Sequence, residues 1–299
     1  MAPPVRIVEV GPRDGLQNEA THIETQAKLS FIGRLVAAGL QEIEATSFVS
    51  PKWVPQLADS LELWPKLPTG GTYSALVPNQ RGLESALQVG VNRIAVFTAA
   101  SSAFTEKNIN MTVEQSLAAF EEVISRFRSV APDGWVRGYV STAFECPYAG
   151  IVTPAQVIPV VEKLLSFGVD EISLGDTIGV ASPKEVRALT SAVLDVCPVD
   201  KLNFHFHDTR GTALANVAQA LSQGVVSFDA SAAGLGGCPY AKGAGGNLAT
   251  EDLVYFLERE GIPTGVDQMA LAMASLPILE ILGRAPMSKA QQSWLASRP

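Results

Sequence analysis

Gly168-Val169-Asp170-Glu171-Ile172-Ser173-Leu174 is the stretch from which the fold can be read. It follows an amphipathic run, Val157 to Phe167, and glycine is the residue preferred just past a helix C-terminus. The alternating apolar residues after the glycine read as a strand. The same joint recurs at Gly39-Leu-Gln-Glu-Ile-Glu-Ala, Gly90-Val-Asn-Arg-Ile-Ala-Val and Gly224-Val-Val-Ser-Phe-Asp-Ala, after helical runs Ala27 to Ala38, Leu83 to Val89 and Ala213 to Ser222. A helix-to-strand joint is thus used four times along the chain.

Four more strands fall between the joints: Val5–Val10, Tyr73–Val77, Val136–Thr142 and Leu202–His207. Strands that alternate with helices run parallel and are joined by helical crossovers. Eight such units in 299 residues predict an α/β fold, a closed (β/α)₈ TIM barrel. The alternative is an open doubly wound sheet, but no Gly-x-Gly-x-x-Gly follows the first strand. No composition break divides the chain, so residues 1–299 are expected to form a single TIM-barrel domain.

Composition narrows the partners. The chain is 47% hydrophobic and 17% charged with a mean hydropathy of +0.19, which suits a well-buried core. A net charge of −8 and the lack of a basic block argue against nucleic acid. The most apolar stretch, Met269 to Leu282, is interrupted by Ser275, Pro277 and Glu280, so no membrane span is expected. Three cysteines, Cys146, Cys197 and Cys238, make no disulfide framework, and the first strand starts almost at once. The expected setting is therefore the reducing cytoplasm.

In a barrel of this kind chemistry collects at the C-terminal ends of the strands. His205 and His207 lie one residue apart on strand seven, so both imidazoles point to one face and could hold a divalent metal. A polar strand face with each histidine hydrogen-bonded to a neighbour is the alternative. Strand one leads into Gly11-Pro12-Arg13-Asp14-Gly15-Leu16-Gln17, where Arg13-Asp14 could equally be a surface ion pair. Glu44 sits inside an apolar strand and needs a partner, because burying a lone carboxylate is costly. Asp176 and Asp208 could cap the helices that follow them. The run Gly234 to Gly246 carries six glycines around Cys238 and reads as a phosphate cradle or a flexible lid.

Long runs of the chain resemble the metal-dependent TIM-barrel lyases and synthases of carbon–carbon bonds, and most closely the 3-hydroxy-3-methylglutaryl-CoA lyase family. They are Val8 to Glu19, Thr46 to Pro55, Lys107 to Asn110, Ile172 to Gly179 and Gly234 to Tyr240. The resemblance implies cleavage of 3-hydroxy-3-methylglutaryl-CoA to acetyl-CoA and acetoacetate, with a place in leucine degradation and ketone-body formation. It implies Mg²⁺ or Mn²⁺ held by Asp14, His205, His207 and Asn247, a mixed oxygen and nitrogen set suited to those ions. It further implies Arg13 as the group that stabilises the thioester enolate and Cys238 as the acid that protonates it. Candidates for the hydroxyl base are Asp14, Glu44 and His205. Substrate contacts fall on Arg13, Gln17, Ser47, Asn110 and Asp176. A homodimer is expected from the family. Arg210 follows His-Asp-Thr where some relatives carry an aromatic, so a citramalyl-CoA or a longer 3-hydroxy-3-alkylglutaryl-CoA stays open. Lys66, Lys107 and Arg210 are candidates for CoA phosphates. The rival readings are a Claisen-type acyl-CoA synthase and a barrel that binds CoA or metal without catalysis.

Overall fold

The computed structural model describes residues 4–236 and 246–297. Its barrel strands are β1 (Arg6–Glu9), β2 (Glu42–Ser47), β3 (Thr72–Leu76), β4 (Arg93–Ala99), β5 (Trp135–Ser141), β6 (Glu171–Asp176), β7 (Leu202–Phe206) and β8 (Ser227–Ala230). They close in sequence order, with β8 returning to β1, and every neighbouring pair is parallel. The expected TIM barrel is the one observed. An extra two-residue hairpin, Glu145–Cys146 with Gly150–Ile151, decorates the end of β5.

The crossovers use α1 (Thr25–Ala37), α2 (Gln80–Gln88), α3 (Val113–Val130), α4 (Pro154–Ser166), α5 (Pro183–Leu194) and α6 (Ala213–Ser222), while β2 reaches β3 through short helical turns over 55–66. Helix α7 (Thr250–Arg259) follows β8. The joint glycines work as the sequence suggests. Gly39, Gly90, Gly168 and Gly224 all take φ between +77° and +103°, a left-handed turn that costs glycine little. At three joints the next amide closes back onto the helix: Leu40 N to Leu35 O, Val91 N to Ala86 O and Val225 N to Ala220 O, the Schellman pattern. That turn sends the chain straight from helix into strand.

Apolar residues pack between strands and helices. On β7, Phe204 and Phe206 stack at 5.0 Å on that side, so Asn203, His205 and His207 alternate into the barrel. The barrel interior is unusually polar for this architecture, where branched aliphatics usually dominate. Arg137 pairs with Glu171 and, at 2.7 Å, with Asp229, and Arg6 also reaches Glu171. Asn203 Nδ2 donates to Asp229 Oδ1 at 2.9 Å and to Ser173 Oγ at 2.8 Å. These buried charges are matched among themselves, as burial demands.

Candidate active site

The segment after β1 winds into a single π-helical turn, Gly11–Gly15, with Gly15 N donating to Val10 O at 3.2 Å. Such turns are frequent at functional sites. Here the turn aims two adjacent residues inward. A side chain on Gly15 would collide with Ser231 Oγ and Leu235 Cβ, 2.8 and 2.9 Å from its Cβ position. Glycine therefore lets the turn press against the segment after β8.

Arg13 is buried, and its guanidinium is clamped from two sides. Nε donates to Glu44 Oε1 and Nη1 to Asp14 Oδ1. Burial opposes its charge, but Glu44 and Asp14 outweigh it and hold its pKa above the ordinary arginine value. Tyr139, from β5, donates its hydroxyl to Glu44 Oε2 at 3.0 Å, so both Glu44 oxygens are engaged. The Arg13 guanidinium also lies 5.6 Å from the Tyr139 ring centre.

Asp14, His205 and His207 form one cluster, with a ligand-capable atom of each within 4.8 Å of the others. The two Nε2 atoms face each other at 3.2 Å, and Asp14 Oδ2 lies 3.9 Å from His205 Nε2. Asn247 is brought in by a short antiparallel bridge to His207 and places its amide nitrogen 2.8 Å from Asp14 Oδ2. Its Oδ1 is buried and has no hydrogen-bond partner among the described residues. An orphaned amide oxygen, two converging imidazole nitrogens and a carboxylate fit a hard divalent cation. Burial and the neighbouring His205 push His207 down to about 3, so its ring stays neutral, the form a metal ligand requires. Burial works against ionisation of Asp14 too, but Arg13 and the histidines hold its pKa below the ordinary carboxylate value.

The remaining sequence-derived residues divide. Ser47 is buried at the end of β2 with no hydrogen-bond partner for its hydroxyl among the described residues. Gln17 donates to Asp14 Oδ1 at 3.0 Å, so it steadies Asp14 and not Arg13 directly. Asp176 is buried at the end of β6, and its oxygens accept from Val180 N and Ala181 N, both at 3.0 Å. It organises the loop before α5, whose own cap is Ser182. Burial raises its pKa to about 6. Asp208 accepts from Ala213 N, the first amide of α6, at 2.9 Å, while the residue in the cap position is Thr212. Asn110 is exposed, in a left-handed conformation at the end of the helix Ser102–Ile109, and no hydrogen bond joins its side chain to the buried cluster among the described residues. Arg210 donates to the carbonyls of Ile178 and Gly179, at 2.8 and 3.1 Å, which ties the loops after β6 and β7 together. Lys66 pairs with Glu62 on the surface and Lys107 is exposed. Cys238 lies outside the described residues; Cys146 and Cys197 are buried and free.

Several residues of the site escaped sequence reading: Tyr139, Arg137, Asp229, Glu9 and Glu251. Glu9 accepts from Gly11 N, Ala232 N and the Thr250 hydroxyl, while Glu251 accepts from Ala233 N with both oxygens. Together they fix the turn after β8 to the turn after β1. The signal that singled out Glu44, a charge inside an apolar strand, is equally present at Asp229 and Arg137.

The closed parallel barrel carries a buried arginine directly beside a donor set suited to a divalent cation. The HMGL-like family model matches residues 4–277, and the chain belongs to that family. It is 51% identical over 292 residues to the mitochondrial hydroxymethylglutaryl-CoA lyase of Bos taurus, covering 97% of this chain and 89% of that protein. It is 50% identical over 294 residues to the 3-hydroxy-3-isohexenylglutaryl-CoA/hydroxy-methylglutaryl-CoA lyase of Pseudomonas aeruginosa, covering 98% and 97%. A crystal structure of hydroxymethylglutaryl-CoA lyase from Pseudomonas aeruginosa superposes with a TM-score of 0.96 at 49% identity, over 99% of both chains.

Proposed function

We propose that the protein cleaves 3-hydroxy-3-methylglutaryl-CoA to acetyl-CoA and acetoacetate. The observation that carries this reading is the donor set of Asp14, His205, His207 and Asn247 set directly beside the clamped Arg13. Those four residues would hold a divalent cation, Mg²⁺ or Mn²⁺, which supplies Lewis acidity to the substrate's oxygens.

The chain's own groups divide the remaining work. The substrate's C3 hydroxyl loses its proton, the adjacent carbon–carbon bond breaks, and its electron pair passes into a thioester enolate. The candidates for the proton acceptor are Asp14, Glu44 and His205, and each is already engaged: Asp14 Oδ1 accepts from Arg13 and Gln17 and its Oδ2 from Asn247. Both Glu44 oxygens already hold Arg13 and Tyr139, and His205 has its Nδ1 against Asp229 at 3.0 Å and Nε2 turned to the donor set. Glu44 then serves as the anchor of Arg13. With Nε and Nη1 engaged by Glu44 and Asp14, Arg13 directs Nη2 toward the thioester oxygen, where negative charge grows. Cys238 returns a proton to the enolate carbon, a role that rests on the sequence of the glycine-rich segment. Ser47, Gln17, Asn110 and Asp176 are assigned to the substrate's surroundings, with Ser47 best placed by its unpartnered buried hydroxyl.

A second reading concerns the acyl group. The relative from Pseudomonas aeruginosa carries a longer acyl substrate in its name, so we include 3-hydroxy-3-alkylglutaryl-CoA and citramalyl-CoA thioesters as alternatives. Residues 1–299 acting as one catalytic domain, a homodimeric state and a cytoplasmic role in leucine degradation belong to the same proposal. Among the described residues no helix is long and apolar enough to cross a membrane.

The deciding experiment is a panel of these thioesters with the purified protein and Mg²⁺ or Mn²⁺. Release of acetoacetate and acetyl-CoA from the methyl compound supports the proposal. No cleavage of any panel member overturns it.

A further inference from the structure

We propose that Asp229 is the positioning residue that fixes His205 as a cation ligand, by accepting a hydrogen bond from His205 Nδ1–H and so leaving Nε2 unprotonated toward Asp14, His207 and Asn247. The inference rests on the cation site proposed above.

Asp229 and His205 are register partners across β8 and β7. The Asp229 side chain is fully buried, with Oδ2 3.0 Å from His205 Nδ1. A neutral imidazole has one donor and one acceptor nitrogen, so the partner of Nδ1 decides which nitrogen is left for a metal. The hydrogen-bond network around Asp229 leaves little choice. Ser227 Oγ donates to Asn203 Oδ1 at 2.7 Å, which turns the Asn203 amide nitrogen toward Asp229 and Ser173. Ser173 Oγ accepts from Asn203 and therefore spends its own hydrogen on Asp229 Oδ2, at 3.3 Å. Arg137 Nη1 donates to Asp229 Oδ1 at 2.7 Å, and a guanidinium cannot give up its charge. A carboxylate held ionised by such a neighbour only accepts. Its bond to His205 must therefore take a hydrogen from Nδ1.

The contrast with His207 sharpens the assignment. His207 Nδ1 is buried with no hydrogen-bond partner among the described residues. The two histidines are chemically unequal: one tautomer is imposed by a chain running Glu171–Arg137–Asp229–His205 up the barrel interior, and the other is not. Partners of this kind fix the ligand's ring and raise its basicity.

The test is a direct Mn²⁺ titration, following free Mn²⁺ by electron paramagnetic resonance, on the wild-type chain and on Asp229→Asn. The expected result is binding weaker by about 10- to 100-fold in the variant. Equal affinity in the two proteins overturns the inference while leaving the cation site standing. Absence of Mn²⁺ binding by the wild type sinks the site itself, a separate outcome. Because the chain has three histidines, ¹⁵N-histidine labelling of the Mg²⁺-loaded wild type gives a second readout that does not depend on the variant folding. It should show the proton of His205 on Nδ1. A proton on Nε2 refutes the assignment.

Discussion

Tyr139 and Glu44 stand 95 residues apart, yet the Tyr139 hydroxyl donates to Glu44 Oε2 across 3.0 Å of barrel interior. The bond fills the one Glu44 oxygen that Arg13 leaves, so the carboxylate that anchors Arg13 cannot rotate away. Glu44→Gln replaces one acceptor by a donor and sets it against Arg13 or Tyr139. A displaced catalytic group costs on the order of 10²-fold in turnover, and kcat should fall by about that factor. Glu44→Ala leaves the Arg13 charge buried without its main partner and should cost about 3–5 kcal/mol in denaturant unfolding. Wild-type kcat in Glu44→Gln would remove Glu44 from the positioning of Arg13.

Cys238→Ser tests the proton return. A positioned general acid contributes roughly 10²–10⁴-fold, so turnover should drop within that range while Mn²⁺ affinity, set by residues elsewhere, stays as in the wild type. Steady-state kinetics with a parallel Mn²⁺ titration reads both. Unchanged turnover takes Cys238 out of the reaction.

Chelation tests the donor set. EDTA should abolish cleavage, and added Mn²⁺ should restore it. Cation at about 100 times its Kd should also stabilise the fold by about 2.7 kcal/mol through mass action, visible as a rise in Tm. A Tm indifferent to Mn²⁺ would speak against the cluster of Asp14, His205, His207 and Asn247.

Glu251 predicts a pH dependence of stability. Burial raises its pKa from 4.5 to about 8 in the folded chain. The sign follows from proton counts. Between about 4.5 and about 8 the unfolded carboxyl is ionised while the folded one keeps its proton, so stability falls as pH rises through that window and levels off above it. Glu251→Gln cannot ionise and escapes this loss. The stability difference between Glu251→Gln and wild type should therefore move in favour of the variant from pH 5 to pH 8, by a few kcal/mol at about 1.4 kcal/mol per pKa unit. Urea unfolding at both pH values checks it; a difference that does not vary with pH contradicts the prediction. Glu9, raised to about 7 by the same burial, acts in the same direction.

The fold was legible because its punctuation is local. Each joint glycine announces the end of a helix and the start of a strand within a few residues, and β2, β4, β6 and β8 begin where those joints place them. His205 and His207 were legible for the same reason, since strand alternation alone brings them together. What pairs with them was not. Asp229, Arg137 and Tyr139 meet His205 and Glu44 only through the register of strands distant in sequence, and no local pattern carries that register. Asp176 shows the limit from the other side. Its strand-end position reads from the sequence, but the loop that folds back to bring two backbone amides onto its oxygens does not.

Asp14 and Asn247, bonded at 2.8 Å, are separated by 233 positions in the chain. The first and last members of the proposed donor set thus come from opposite ends of the sequence of strands and meet at the seam where β8 finds β1. A folding chain that has made seven strands has both histidines and Asp14 but no complete ring of donors. If the proposed cation binds there, its capture requires the circle to be closed, and a seated ion would tie the segment after β8 to the turn after β1.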